Sequence, residues 1–380
     1  MERKIKIPFN IKFRIYFGLL ITLALFISVY VFLYYIGDYF LEWGLFFVIV
    51  GFIPLIFALF VKHEDRGYKI KESDFSRLFK LIKEVSKDLG VKMPDEIHLL
   101  STDEIYVTGL FKRKLGIGVV ALRELSPEEF KSILVHEFGH LYGNDTIVGA
   151  LLSKIQISLD KSSKFGKAWW DYVPFAEFAI IGLAITGFAK GYTFLFNVIL
   201  SIYSRQVEYR ADYVASSLSG KETFGVALLN YSAYVTYFNE VGYNTIINQL
   251  YEGREFVNIY ESVYDAYKKE DIKRIRKLVF ENDKGGIFSS HPILNKRLSS
   301  IGLSKIDIKI NKGKKNALSF IDKSEQVEKE LTKILTDKMH VNLLYADAVQ
   351  REGKCRHCGE QFEKLNELLE HESKCNRTFS

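Results

Sequence analysis

Two stretches of the chain carry no charge. Ile15 to Gly37 spans 23 residues and Trp43 to Val61 spans 19, both dominated by Leu, Ile, Val, Phe and Tyr. A helix of about 20 such residues crosses the hydrocarbon of a bilayer and satisfies its own backbone while doing so. The pattern predicts a transmembrane helical hairpin. A cleaved leader is the rival reading of the first run, but its apolar part exceeds the ~7–15 residues of such segments. No small-residue cleavage site follows Tyr34-Tyr35 either. Arg3, Lys4, Lys6, Lys12 and Arg14 precede the hairpin, Lys62, Arg66, Lys69 and Lys71 follow it, and the turn holds only Asp38 and Glu42. Basic flanks stay inside, so both hairpin ends are expected in the cytoplasm.

Two weaker apolar segments follow, 146–159 with Lys154 inside it and 178–204 interrupted at Gly187–Gly191. If both crossed, Lys161, Lys164 and Lys167 would lie outside, against the charge rule. They are expected to dip into the membrane surface or pack against the first hairpin; the apolar core of a cytoplasmic helical domain is the alternative. Between the hairpin and these segments the period changes. Phe75, Leu78, Phe79, Ile82, Val85 and Leu89 recur at helical spacing up to Gly90. Residues 96–100, 105–109 and 115–122 are rich in branched and aromatic side chains and predict a small sheet. Ser126-Pro127-Glu128-Glu129 then opens a helix, with Ser126 as N-cap, Pro127 at the first helical position and Glu129 closing a capping box.

That helix carries the first chemical motif. His136-Glu137-Phe138-Gly139-His140 puts two imidazoles four residues apart on one face, where both reach one zinc ion, with Glu137 beside them as a base. Chance at this composition gives about 0.02 such matches, so context has to decide. The capped helix and the apolar run Phe130, Ile133, Leu134 and Phe138 favour a site, and Gly139 lets another backbone or a substrate approach closely. A catalytic zinc needs a third protein ligand. Glu208 and Asp212 form a carboxylate pair one helical turn apart, Glu208 as the metal ligand and Asp212 as acceptor of the outer N–H of His136. A solvated charged face is the competing reading of that pair.

Together these residues resemble the membrane-embedded zinc endopeptidases that include the HtpX heat-shock proteases and the CAAX prenyl proteases. The resemblance covers about residues 60 to 300 and rests on His136-Glu-x-x-His140, Asn144-Asp145, Glu208-x-x-x-Asp212 with Arg205 and Ala211, and Ser290-His291-Pro292 with Arg297. The N-terminal hairpin and the short chain are closer to the HtpX branch. The family's Asn-Ala-x-Ala-x-Gly strand reads here Glu104-Ile-Tyr-Val-Thr108-Gly109, without the Asn. The resemblance implies that His291 comes near the active site and donates to the developing oxyanion. It also implies peptide hydrolysis, with an extended substrate pairing to an edge strand within 105–121, which favours unfolded or flexible segments.

Composition adds a second metal site. The only three cysteines fall in the last 26 residues, as Cys355-x2-Cys358-x12-His371-x3-Cys375, after a basic connector and a helix expected over 324–349. This spacing predicts a ββα-type zinc finger with Phe362 and Leu368 as its small core and His357 as a solvated neighbour. The net charge of +6 is too mild to indicate nucleic acid. Glu360, Glu363, Glu367, Glu370 and Glu372 on the finger would repel phosphates, so a protein partner or self-docking is expected.

The sequence thus predicts a mainly α membrane protein: a transmembrane hairpin over 1–62 and a helical zincin-type domain with a small sheet over 63–303. A connector and helix follow over 304–350, and the finger over 351–380. The expected activity is zinc-dependent endopeptidase action on unfolded or membrane proteins, using one catalytic and one structural zinc. The catalytic domain and both termini are placed on the cytoplasmic side of the cell membrane. A prenyl-protein protease and a non-catalytic zinc-containing membrane scaffold are the alternatives.

Overall fold

A computed structural model describes residues 5–41, 67–108, 112–142, 176–251, 256–282, 292–304, 310, 315–350, 354–355, 358–362, 367–368, 371 and 375. The chain divides into two compact units, one of residues 1–237 with 267–322 and one of 238–266 with 323–380.

The first unit begins with helix α1, Phe9–Leu41, which contains the first uncharged run. Among the described residues no helix is long and apolar enough to cross a membrane. Part of the side chains of α1, the whole second run at 43–61 and the segment 146–159 lie outside the described residues. The foot of α1 is anchored: Ile15 packs with Tyr203 and Val207, with Ile11 alongside.

Strand β1 (Gly67–Lys69), helix α2 (Ser76–Leu89) and strands β2 (Glu96–Leu100), β3 (Ile105–Thr108) and β4 (Lys114–Gly118) follow. Helix α2 buries Leu78, Leu81, Ile82, Val85 and Leu89 on one face and ends at Gly90 in the left-handed conformation, where Val91 N–H donates to Ser86 O at 3.0 Å. The sheet order is β1-β2-β4-β3. The central pair is parallel, with Glu96 opposite Lys114, while β1 and β3 are antiparallel to their neighbours. Among the described residues β3 is therefore a sheet edge.

One expectation fails here. The strand predicted over 115–122 stops at Gly118, and Val119–Glu124 forms helix α3. Val119, Val120, Ala121 and Leu122 are all buried, so this run has no polar face whose spacing would separate helix from strand.

Helix α4, Pro127–Tyr142, packs on α2 and on two later helices, α5 (Ala176–Ser219) and α6 (Lys221–Tyr237). Its start is the capping box read from the sequence: Glu129 N–H donates to Ser126 Oγ at 3.2 Å and Ser126 N–H to Glu129 Oε2 at 3.1 Å. The other oxygen, Glu129 Oε1, accepts from Asn230 Nδ2 at 3.2 Å, so the cap also ties α4 to α6. Phe130, Leu134 and Phe138 point into the core. Helix α5 runs for 44 residues and passes through the Gly187–Gly191 stretch that interrupts the apolar run in the sequence. A glycine inside a helix costs only about 1 kcal/mol, which the rest of a helix this long can offset. After the second unit's opening segment the chain returns as α9 (Ile272–Asn282) and α10 (Leu294–Ser300).

The second unit holds a π-helical turn, Phe238–Gly242, α7 (Tyr243–Tyr251), most of α8 (Ile259–Lys269) and the long α11 (Ser324–Gln350). Asn258 caps α8 by accepting Glu261 N–H at 3.1 Å, and its Nδ2 donates to Glu328 Oε2 at 2.9 Å, joining α8 to α11. The C-terminal cysteines belong to this unit.

Candidate active site

His136 and His140 sit one turn apart on α4, and Glu208 and Asp212 one turn apart on α5. The two helices meet at Gly139, where an added Cβ would lie 3.2 Å from Ala211 Cα. That is tighter than ordinary contact, so glycine permits the approach that brings the four polar side chains together. The glycine between the histidines thus serves a helix crossing.

One ligand atom from each of His136, His140 and Glu208 lies within 4.8 Å of the others. His136 Nε2 is 3.4 Å from Glu208 Oε2 and His140 Nε2 is 3.6 Å from Glu208 Oε1, while the imidazoles stand edge to face. His136 Nδ1 faces Asp212 Oδ1 at 3.0 Å, and its ring stacks on Phe224 of α6. Arg297 of α10 completes the group. Its Nε and Nη2 grip both oxygens of Asp212 at 3.0 and 2.6 Å, and Nη2 also lies 3.5 Å from Glu208 Oε2.

Burial sets the charge balance. It pulls His136 towards neutrality, but the Asp212 and Glu208 carboxylates outweigh it and push the imidazole up to about 9. Burial lowers His140, with Glu208 opposing. Burial alone would raise Asp212, yet Arg297 and His136 hold it below the usual carboxylate range. The buried carboxylates of Glu208 and Asp212 thus lie with Arg297 beside the two imidazoles. Two imidazole nitrogens and a carboxylate converging on one point are the donor set of a catalytic zinc, and the carboxylates around them suit a divalent cation. The residues fit the metal.

Glu137 occupies the next position on α4, half-buried, where its charge acts on His140 and Arg297. His291, its neighbour Ser290 and Asn144-Asp145 lie outside the described residues, as does His357 in the finger. Cys355, Cys358, His371 and Cys375 do converge, their ligand atoms also within 4.8 Å of one another. Sequence reasoning flagged Arg297 only through the family pattern, and the structure gives it contacts with Asp212, His136 and Glu208. Phe224 carried no signal, because an aromatic residue on an apolar helix face looks the same whether it packs on a core or on a ligand.

The chain is similar to several known proteins. Protease HtpX of Pseudomonas savastanoi pv. phaseolicola is 25% identical over 209 residues, 47% of this chain and 66% of that protein. The chain therefore spans just under two thirds of the length of this relative. The HtpX homologue of Thermoplasma acidophilum is 25% identical over 277 residues, 67% of this chain and 82% of that protein. Among solved structures, S. mikatae Ste24p overlaps at a TM-score of 0.39 and 17% identity, covering 78% of this chain and 67% of that one. The sequence profile of peptidase family M48 matches residues 72–303, a span that contains every residue of the cluster on α4, α5 and α10, and the chain belongs to that family.

Proposed function

We propose that this chain is a membrane-anchored zinc endopeptidase that hydrolyses unfolded or membrane proteins at the cytoplasmic face. The observation that carries the reading is the convergence of His136, His140 and Glu208 within 4.8 Å, with Glu137 on the same turn of α4. Bound there, zinc supplies Lewis acidity, which polarises a peptide carbonyl and makes a water acidic enough to lose its proton near neutral pH. The protein's own groups do the rest. Glu137 takes that proton on its carboxylate and returns it to the leaving amine. Asp212 holds His136 with Nε2 turned towards the metal position, and Arg297 holds Asp212. His291 is assigned to the oxyanion on the strength of the family pattern.

Among the described residues β3 is the last strand of the sheet, and it packs against α4. An extended peptide adding to that edge would be read mainly through its backbone, which suits unfolded substrates of many sequences. Tyr231 of α6 steadies the approach to β3 by donating from its hydroxyl to Asp103 O at 2.8 Å.

The membrane reading rests on α1. Its Ile15–Gly37 stretch has no charge, and Tyr16, Leu20, Ile27 and Tyr35 project from it more than half exposed. So much uncovered apolar surface on one helix calls for lipid or a partner helix. One experiment tests side and substrate together. Inverted vesicles, which expose the cytoplasmic face, are expected to degrade an added unfolded protein, and right-side-out vesicles are expected to spare it. The reverse would place the site outside. Cleavage confined to prenylated peptides would favour the prenyl-protease alternative.

A further inference from the structure

Cys355, Cys358, His371 and Cys375 lie beyond the family match over 72–303. The first pair is presented by a tight turn. Cys355 N–H donates to Glu360 O at 2.7 Å, Gly359 N–H donates to Cys355 O at 2.9 Å, and Lys354 pairs with Gln361 in an antiparallel bridge. Gly359 takes φ +79°, a conformation side chains resist, which closes the turn right after the second thiol. The second pair sits four residues apart at helical positions. Cys358 Sγ is 3.1 Å from His371 Nε2, and all four ligand atoms lie within 4.8 Å of one another.

Among the described residues the apolar core of this segment is small. Its described core is Cys355 and Leu368 with Phe362 and Cys375 against them, the Phe362 ring 4.7 Å from that of His371. A core this small does not fold a segment unaided. Nor do disulfides account for the arrangement, because three thiols cannot all pair and an imidazole converges with them.

We infer that Cys355, Cys358, His371 and Cys375 bind one zinc ion as a closed tetrahedral site, separate from the cluster on α4 and α5. Four protein donors fill the coordination shell and leave no position for water, so this metal is structural. Three thiolates select zinc over magnesium or calcium. Its binding free energy is the folding free energy of the segment.

Cobalt(II) substitution of the full-length protein tests the assignment. Thiolates bound to cobalt give intense near-ultraviolet charge-transfer bands, which two imidazoles and a carboxylate cannot produce. The wild-type chain is expected to bind two cobalt ions and show these bands, and zinc is expected to bleach them. Replacing Cys355 and Cys358 together by Ser should remove the bands and one metal per chain, while His136→Ala should remove one metal and keep the bands. His371→Cys should retain them through a four-thiolate site, showing that the segment tolerates substitution. Absence of the bands in the wild type, their survival in the double serine variant, or their loss in His136→Ala would each overturn the inference.

Discussion

Glu137→Gln is expected to cut peptide hydrolysis by about 10²–10⁴-fold while zinc content stays the same, because it removes the base and none of the ligands. The substitution keeps the size and the hydrogen-bonding ability of the side chain. Only the ability to hold a proton in transit is lost. Glu137 is half-buried on α4 beside His136, and its charge already acts on His140 across the site. Elemental analysis of the purified variant, read beside a short-peptide assay, separates the effect from misfolding. An active variant would remove Glu137 from the mechanism, and a zinc-depleted one would show that it helps hold the metal.

Glu208→Ala should act at the other end of the same chemistry. It deletes one of three protein ligands, so one zinc per chain and all hydrolysis should disappear together. Glu208 is 6% exposed, so the substitution removes a carboxylate from a buried position. Asp212→Asn offers the contrast. It leaves all three ligands in place but weakens the hold on His136, and zinc affinity or activity should fall only ~10–100-fold. The same change takes a charge from the grip of Arg297, whose side chain is 14% exposed, so the variant should also unfold at a lower temperature. Titration of the two variants with zinc distinguishes the roles. Full affinity in Glu208→Ala would place the third ligand elsewhere.

Much of this site was legible in the sequence because its parts are local. His136 and His140 share a helical face by spacing alone, as do Glu208 and Asp212, and the Ser126–Glu129 box is a contact between residues three apart. What could not be read depends on distant segments. Arg297 lies 85 residues from Asp212, and no periodicity in a seven-residue helix announces a bidentate grip. The Gly139–Ala211 crossing is of the same kind: a glycine there was visibly permissive, but its neighbour was not. The fold divided in a similar way. Helix α2 carries a polar face and was read with its end at Gly90, whereas Val119–Leu122 is buried all round and was mistaken for strand.

The cluster on α4 and α5 is proposed to make this chain a zinc-dependent endopeptidase. Cleavage of an unfolded, reduced protein by the purified full-length chain, followed as the bound metal is removed and returned, tests it most directly. Degradation is predicted for the zinc-loaded protein, to stop when a chelator strips the metal, and to resume on adding zinc but not magnesium or calcium. Undiminished cleavage by protein shown to be zinc-free, or no cleavage by protein shown to carry zinc at this site, would contradict it.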